Sequence, residues 1–367
     1  LVFSGHGKHL DCPTLRLTNH HGLMIAGEAA LSNWDAGMDM YIYGKLGNLT
    51  MTKEGINVLM TNLTGKVPPI LQRLDYIRFN GEAAGYLHDL TLTGLFHTGA
   101  GMVKTDVMMS IDEQSMSRTY SGSVASADLD LGKLLNQEKK FGKVDFNVEL
   151  KGFNYKNRYP ESYIKGIISS FEYSQYQYEN IMLDGVYKDG GFNGRLSMDD
   201  ANGSVQIDGN FNVAKTIPDF NLKASVKNLR PHDLHLSDKY ENASISLGLT
   251  ADFTGKSIDD MNGRISLDSL QLNAPDEGGC FLDNLTITAG QVSGEKELRI
   301  NSSFMTAVIR GDYSYHTIPA SVVKTVQRYI PSLLTIKDNM PEPHNNFQFD
   351  ICLENAEVLS KLFQIPL

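Results

Sequence analysis

The chain has 367 residues, of which 41% are hydrophobic, 33 are glycine and three are cysteine, and its formal net charge is −10 at pH 7. This acidic balance without a basic run argues against nucleic acid or another polyanion as a partner. No window approaches about eighteen uncharged apolar residues, so no transmembrane helix is predicted, and the spacing of the cysteines predicts neither a disulfide framework nor a zinc knuckle.

The first candidate site along the chain is HGKHLDC, which places His6, His9 and Cys12 at three-residue intervals. On a helix this spacing would bring the three side chains together as zinc ligands. The sequence continues with LRLTNHHGLMIAG, which is typical of paired strands, and on a strand three-residue steps alternate between faces. We therefore expect surface or cross-strand histidines here, and the same holds for His232 and His235. The three cysteines are expected to be buried as small hydrophobic residues.

Period-two alternation of apolar and polar residues dominates the chain, and turn sequences such as YKDGGFNG recur at intervals of roughly eight to twelve residues. The pattern predicts an all-β fold with a few short helices, in which an elongated antiparallel sheet with one apolar face curves into a hydrophobic groove. The residues predicted to line this groove are Phe146, Val148, Leu150, Ile181, Leu183, Leu196, Val205, Ile207, Leu222, Ala224, Val226, Ile245, Leu247, Leu249, Ile265, Leu267, Leu285 and Ile287.

Short amphipathic helices are predicted at residues 68–74, 131–138, 321–333 and 356–363. Because they carry little positive charge, we expect them to pack on the apolar face of the sheet rather than on a membrane. Echoes between distant segments predict internal repeats. The whole chain, 1–367, is accordingly interpreted as one elongated region with approximate units 1–120, 121–219, 220–318 and a partial unit 319–367.

A sequence of two acids, one residue and Asn-Gly occurs twice, at Asp199-Asp200 and at Asp259-Asp260. A calcium loop would also need a bidentate Glu near its end, which neither copy supplies. A catalytic pair would need carboxylates that face each other, whereas neighbouring residues on a strand point to opposite sides. Asn-Gly suits a two-residue hairpin turn, which is the favoured interpretation.

No nucleophile motif or phosphate-binding loop stands in a suitable strand-turn-helix context. We therefore predict a protein that is not an enzyme and that uses no cofactor. The chain begins at Leu1 without a signal-like segment and ends within an alternating pattern, so it is interpreted as a piece of a longer protein.

Several blocks, in order, resemble the AsmA-like, TamB-type envelope proteins of the translocation and assembly module. They include ILQRLDYIRFNGEAAGYLHDLTLTG, SGSVASADLDLGKLLNQEKKFGKVDFNVELKG, FEYSQYQYENIMLDGVYKDGGFNGRLSMDDANGSVQIDGNF and GKSIDDMNGRISLDSL. The resemblance covers most of the chain, and it depends on the order of degenerate blocks rather than on a single signature.

The resemblance implies a periplasmic protein attached to the inner membrane of a diderm bacterium, which moves glycerophospholipids between the two membranes. Its partners would be phospholipid acyl chains, the inner membrane through an anchor that this sequence lacks, and an outer-membrane barrel protein through a missing C-terminal domain. A scaffold for outer-membrane protein assembly and secretion is the first alternative. A β-solenoid or carbohydrate-binding module with a filled core is the second.

Overall fold

The computed structural model describes residues 2–112, 114–115, 117–154, 161–238, 241–274, 279–314, 317–318, 321, 328 and 345–355. Contacts between residues divide the chain into two compact units, which we call unit 1 (Leu1–Ala201) and unit 2 (Asn202–Leu367). In each unit the described residues lie mainly in antiparallel strands. The all-β prediction is confirmed, whereas the division into four repeats stays a prediction.

The strands of unit 1 follow one another along the chain as antiparallel neighbours. They are β1 (Val2–His6), β2 (His9–Thr18), β3 (Leu23–Ser32), β4 (Tyr41–Thr52), β5 (Tyr76–Tyr86), β6 (Asp89–Thr98), β7 (Gly101–Ile111), β8 (Arg118–Ala127), β9 (Leu129–Asp130), β10 (Phe141–Asn154), β11 (Glu161–Tyr173), β12 (Tyr176–Lys188) and β13 (Gly191–Asp200). β8 pairs directly with β10, and the short β9 pairs with the start of β10. Among the described strands β1 pairs with β2 alone, so the sheet is not closed.

Unit 2 repeats this meander. Its strands are β14 (Gly203–Asn212), β15 (Asp219–Leu229), β16 (Ser244–Thr254), β17 (Asn262–Asn273), β18 (Cys280–Val292), β19 (Glu295–Ser302), β20 (Met305–Asp312) and β21 (Asn346–Leu353). Each strand from β15 to β20 pairs antiparallel with the strands before and after it. In the described part of unit 2, β21 pairs with β20 only.

β10 illustrates why these residues form strands. Phe146, Val148 and Leu150 are half-buried, whereas Asn147 and Glu149 between them are exposed. Because successive side chains on a strand point to opposite faces, this alternation removes apolar surface from water on one face only. We call the face with the eighteen predicted groove residues the apolar face, and the opposite face, with residues such as Glu149, the polar face.

Three short α-helices lie in the described part of unit 1: α1 (Lys53–Thr64), α2 (Pro69–Gln72) and α3 (Leu131–Leu135). The side chain of Thr52 caps the N-terminus of α1 by accepting a hydrogen bond from the Gly55 amide, and α1 ends at Gly65 in the left-handed conformation. α2 and α3 correspond to the helices predicted at 68–74 and 131–138, but both are shorter. α1 was not predicted. The helix predicted at 356–363 lies outside the described residues, as does that at 321–333 apart from Ser321 and Arg328.

The helices cover one end of the apolar face of unit 1. Ile56 of α1 and Leu74, just after α2, are buried in a cluster with Ile77, Ala100, Leu129 and Val144. Leu71 of α2 and Leu134 of α3 pack against the same cluster, as do sheet residues such as Phe146. The expected packing of helices on the apolar face is therefore observed for α2 and α3.

The repeated Asn-Gly sequence does not form the predicted two-residue turn. In the first copy, Ala201 and Asn202 occupy the turn, and Gly203 begins β14 with a φ of 133°. In the second copy, Ile258–Asp260 form a short 3-10 helix, and Asn262 and Gly263 are the first residues of β17. The acids do mark chain reversals, but the prediction placed the turns one or more residues too late.

Candidate functional site

Strand register aligns the predicted groove residues of unit 1 in rows across the sheet. Val148 lies opposite Gly166 of β11, Gly166 opposite Leu183 of β12, and Leu183 opposite Leu196 of β13. The rows on either side pass through Phe146 and Leu150, and the first of these includes Ile181. The structure thus brings all six predicted residues of unit 1 to one face.

The rows also extend in the other direction, towards β2. From Val148 the row passes through Val124, Thr105, Gly94, Gly81, Leu46 and Gly27 and ends at Leu15. Thr105 is the one residue of this series with a polar side chain, and its hydroxyl is buried without a hydrogen-bond partner among the described residues. Sequence reasoning named no groove residue before Phe146, although LTLTGLF and MVKTDVM alternate in the same way.

The twelve predicted residues of unit 2 form a second set of rows. Val205 lies opposite Val226 and Val226 opposite Leu247. The remaining residues follow in the rows Ile207–Ala224–Leu249–Leu267–Leu285 and Leu222–Ala251–Ile265–Ile287, with Ile245 opposite Leu272 in a further row.

The residues of the apolar face are less buried than those of an ordinary hydrophobic core. Each of the eighteen predicted residues is half-buried, and none is fully buried or exposed. Three of them, Phe146, Ile245 and Ile287, pack against a buried cluster. The other fifteen contact none of the buried clusters in the described part of the chain. Among the described residues, most of the apolar face is therefore half-buried rather than sealed in a core.

Glycines occupy several positions on the apolar face, and aromatic rings lie over some of them. Gly81 and Gly94 face each other across β5 and β6, and a methyl group on either would overlap the ring of Phe79. Phe192 lies in the same way over Gly185 and Gly194. The rings occupy the space that side chains would take at the glycines, so this part of the sheet surface stays flat and apolar.

Polar contacts fasten the helices at the closed end of unit 1. The Lys133 ammonium lies 2.6 Å from the Asp75 carboxylate and 3.0 Å from the Gly99 carbonyl oxygen. The Arg73 guanidinium donates to the Leu134 carbonyl. The hydrogen bond from Lys133 holds the pKa of Asp75 below its ordinary value, so this ion pair persists at neutral pH.

The polar face of β10 to β13 carries a ladder of alternating charge in which Glu149, Lys165, Asp184 and Arg195 lie in register. The Tyr163 hydroxyl donates to Asp184 at 2.9 Å, and Lys165 lies 3.3 Å from it. These contacts, the Tyr163 hydrogen bond foremost, lower the pKa of Asp184. Such pairs are exposed and screened by water, so they add little stability.

Two apolar side chains interrupt this polar face. Ile167 and Met182 lie opposite each other and are 40% and 55% exposed. They border an open cavity of about 510 Å³ together with Lys165 and Arg195. Neither residue was predicted to have a role, and their alternation with charged neighbours gave no signal that would separate them from ordinary strand positions.

The histidines and cysteine at the start of the chain do not converge. His6 lies opposite His9 in the β1–β2 hairpin, and both are exposed. His9 Nδ1 lies 2.7 Å from the Ser32 hydroxyl. Cys12 lies opposite Ala29 on the other face and is buried. Within the described residues no three His, Cys, Asp or Glu side chains form a possible metal-binding group.

The remaining candidates have structural partners. Asp200 is buried, and its carboxylate accepts hydrogen bonds from the Tyr176 hydroxyl at 2.5 Å and the Glu179 amide at 3.1 Å, whereas Asp199 is exposed. His232 and His235 lie in a turn between β15 and β16. Cys12 and Cys280 are buried as expected, but Cys352 is exposed, as are Ile351 and Leu353 beside it on β21.

The aromatic residues near the β11–β12 turn form a cluster. Tyr173 pairs with Tyr176 across the hairpin, and the Tyr176 and Tyr178 rings lie 4.8 Å apart. Phe141 extends the cluster, with its ring 5.5 Å from that of Tyr173. Pairing across the hairpin brings Tyr173 and Tyr176 together, although one has an odd and the other an even residue number.

No family model, curated protein or solved structure matches this chain. Among the described residues, no helix has the length and apolar character needed to span a membrane.

Proposed function

We propose that the chain is a non-enzymatic lipid carrier whose apolar face holds acyl chains. The observation that carries this proposal is the set of continuous apolar rows that are half-buried and, among the described residues, lie mostly outside the buried clusters. A hydrocarbon chain needs no polar partner, and each CH₂ that leaves water contributes about 0.8 kcal/mol. Apart from Thr105, the row through Val148 offers it Val, Leu and Gly, which have no side-chain hydrogen-bonding group to satisfy.

Combined with the resemblance to AsmA-like, TamB-type proteins, this proposal places the chain in the periplasm of a diderm bacterium. There it would be attached to the inner membrane and carry glycerophospholipids between the inner and outer membranes. Its groove would follow the apolar face in each unit, with the helices of unit 1 closing one end of that face. No catalytic step is part of this role.

Transfer of a fluorescent glycerophospholipid between two populations of vesicles tests the proposal. Leu183→Asp places a charge in the apolar row and should strongly reduce the transfer rate, because a carboxylate must stay hydrated. Met182→Asp is the matched control, since this neighbouring residue lies on the polar face and is already exposed. Equal transfer by both variants would contradict the proposal.

Among the described residues β21 pairs on one side only, and this edge favours a second candidate function, a scaffold for outer-membrane protein assembly. On this strand Phe349, Ile351 and Leu353 are 40–46% exposed, and the pairing with β20 has no register shift. An unpaired strand edge can accept a strand from another chain. In cells, Leu183→Asp separates the two functions because it charges the apolar face and leaves the β21 edge intact: impaired lipid transport with normal barrel insertion supports the carrier, whereas unimpaired lipid transport favours the scaffold.

A further inference from the structure

The most exposed aromatic feature of unit 1 is the loop between β3 and β4. It contains Trp34, which is the only tryptophan of the chain and is 59% exposed. A tryptophan side chain is large and apolar, so leaving it in water has a substantial free-energy cost. An apolar partner that covered this side chain would recover part of that free energy.

Backbone hydrogen bonds join this loop to the two hairpin turns beside it. The Asn33 amide donates to the Lys8 carbonyl oxygen at 2.9 Å, and the Leu87 amide donates to that of Met40 at 3.1 Å. A ring nitrogen of His88 lies 2.9 Å from the Met38 carbonyl oxygen. We call the three connected segments, residues 7–8, 33–40 and 87–88, the tryptophan rim. These hydrogen bonds order the loop, so Trp34 projects from a defined backbone.

The rim carries few formal charges, which are those of Lys8, Asp35 and Asp39. The Lys8 ammonium lies 2.8 Å from the Asp35 carboxylate, and His88 Nδ1 lies 3.6 Å from the Asp39 carboxylate. The rim therefore presents no block of like charge to attract a strongly acidic or basic partner. Tyr86 adds an exposed ring that contacts Tyr41 at 5.4 Å between centroids. Uncharged aromatic rings with one polar atom favour the boundary between hydrocarbon and water.

The apolar face reaches the same rim. Its last row runs beside the three turns and consists of Leu10, Leu31, Ile42, Gly85, Leu90 and Met109. Leu10 and Met109 are exposed. Hydrocarbon that meets the rim would thus also meet apolar side chains of the sheet, which favours a lipid surface over a protein as the partner.

We infer that the tryptophan rim docks on a zwitterionic lipid surface, with the Trp34 indole inserted at the level of the headgroups. This contact is independent of acyl-chain binding along the apolar face. It gives unit 1 a defined membrane-facing edge.

Because Trp34 is the only tryptophan beside 16 tyrosines, tryptophan emission excited at wavelengths that tyrosine does not absorb reports on this loop alone. On addition of phosphatidylcholine vesicles we expect the emission maximum to shift to shorter wavelength and brominated acyl chains to quench the emission. Emission that is unchanged at saturating lipid would overturn the inference, and it would do so without any substitution that could disturb folding.

Vesicle flotation provides the second arm. Trp34→Ala should cause a several-fold loss of protein recovered with phosphatidylcholine vesicles, whereas Phe281→Ala should leave recovery unchanged. Phe281 is a suitable control because it is 62% exposed and lies in unit 2, outside the rim. Undiminished flotation of Trp34→Ala would overturn the inference. Leu183→Asp should leave the Trp34 shift intact, so failure of rim docking and failure of the lipid-carrier proposal are distinguishable.

Discussion

Glycine positions on the apolar face show how single residues shape the proposed site. The Phe79 ring covers Gly81 and Gly94, and this arrangement leaves no room for a methyl group at either glycine. Gly44 on β4 differs, because a methyl group there would have no neighbour within 4 Å. Gly94 and Gly44 lie on the same face, so they form a matched pair for testing whether close packing against Phe79 explains the glycine at residue 94.

We expect Gly94→Ala to lower the free energy of unfolding by about 1–3 kcal/mol, because the added methyl group forces the Phe79 ring or the strand to move. Gly44→Ala should be neutral or raise it by up to about 1 kcal/mol, because alanine restricts the unfolded chain. Denaturant unfolding of both variants measures the difference. An equal loss of stability in the two would show that ring packing is not the reason for glycine at residue 94.

Glu297 is a buried acid on the polar face of unit 2, held between two arginines. Its carboxylate lies 2.5 Å from Arg310 Nε and 3.0 Å from Arg299. Hydrogen bonds from Arg310 first, and then from Arg299, lower the pKa of Glu297. A lowered pKa in the folded state means that the stabilisation is present above the unfolded-state pKa and is lost as the pH falls through the folded value.

Glu297→Gln should therefore lower the free energy of unfolding by about 1.5–3 kcal/mol at pH 7, since it removes hydrogen bonds that involve charged groups. The deficit should shrink once the pH falls below the ordinary glutamate pKa of 4.5, because the carboxyl of the unfolded wild-type chain then gains a proton, and it should be lost when the folded carboxyl, whose pKa is lower, is protonated too. Thermal unfolding of the wild type and of Glu297→Gln across this pH range measures the difference in their free energies of unfolding. A deficit that stays constant with pH would mean that the ion pairs contribute nothing.

At the scale of the element, period-two alternation was enough to assign faces, because side-chain direction on a strand is a local property. Bulges were beyond such reasoning. Asn180 has a φ of 52° and Ser269 one of 52°, and at both residues the strand departs from simple alternation. At the Ser269 bulge the next residue on the apolar face after Leu267 is Leu270 instead of Ser269. This change of spacing depends on the partner strand as well as on the sequence.

α1 was missed although its signal was in the sequence. Ile56, Leu59, Met60 and Leu63 follow the helical spacing of three and four residues, and Thr52 is a favourable N-cap. The segment also contains Gly55, Asn57, Thr61 and Asn62, which favour helices poorly. Tertiary packing decides the outcome here, because Ile56 is 1% exposed within the cluster that the helix covers.

Ile56→Ala should lower the free energy of unfolding by about 2–5 kcal/mol through the cavity that it leaves. Ile70→Ala in α2 should change it by no more than about 0.5 kcal/mol, because Ile70 is 48% exposed. Amide hydrogen exchange in α1 locates the effect: protection should fall in the first variant and persist in the second. Unchanged protection in Ile56→Ala would contradict the assignment of α1 as a packed cover of the apolar face.

At the scale of the whole molecule, composition and turn spacing predicted the fold class, and strand parity predicted which residues share a face. Register could not be predicted, because it depends on pairing between distant residues such as Val148 and Gly166. For the same reason the glycine rows and the two apolar side chains of the polar face, Ile167 and Met182, were not foreseen. The structure added that each predicted residue is half-buried, and their role as the lining of a groove stays a prediction.

The central claim is that the apolar face holds lipid, and site-specific photocrosslinking in a diderm bacterial envelope tests it most directly. A photoreactive residue is placed at Val148 or Leu183 on the apolar face, and at the neighbouring Asn147 or Asp184 on the polar face. Mass spectrometry then identifies the adducts. The account predicts glycerophospholipid adducts at Val148 and Leu183 and their absence at the two polar-face positions. Adducts to protein alone, or equal lipid labelling of both faces, would contradict it.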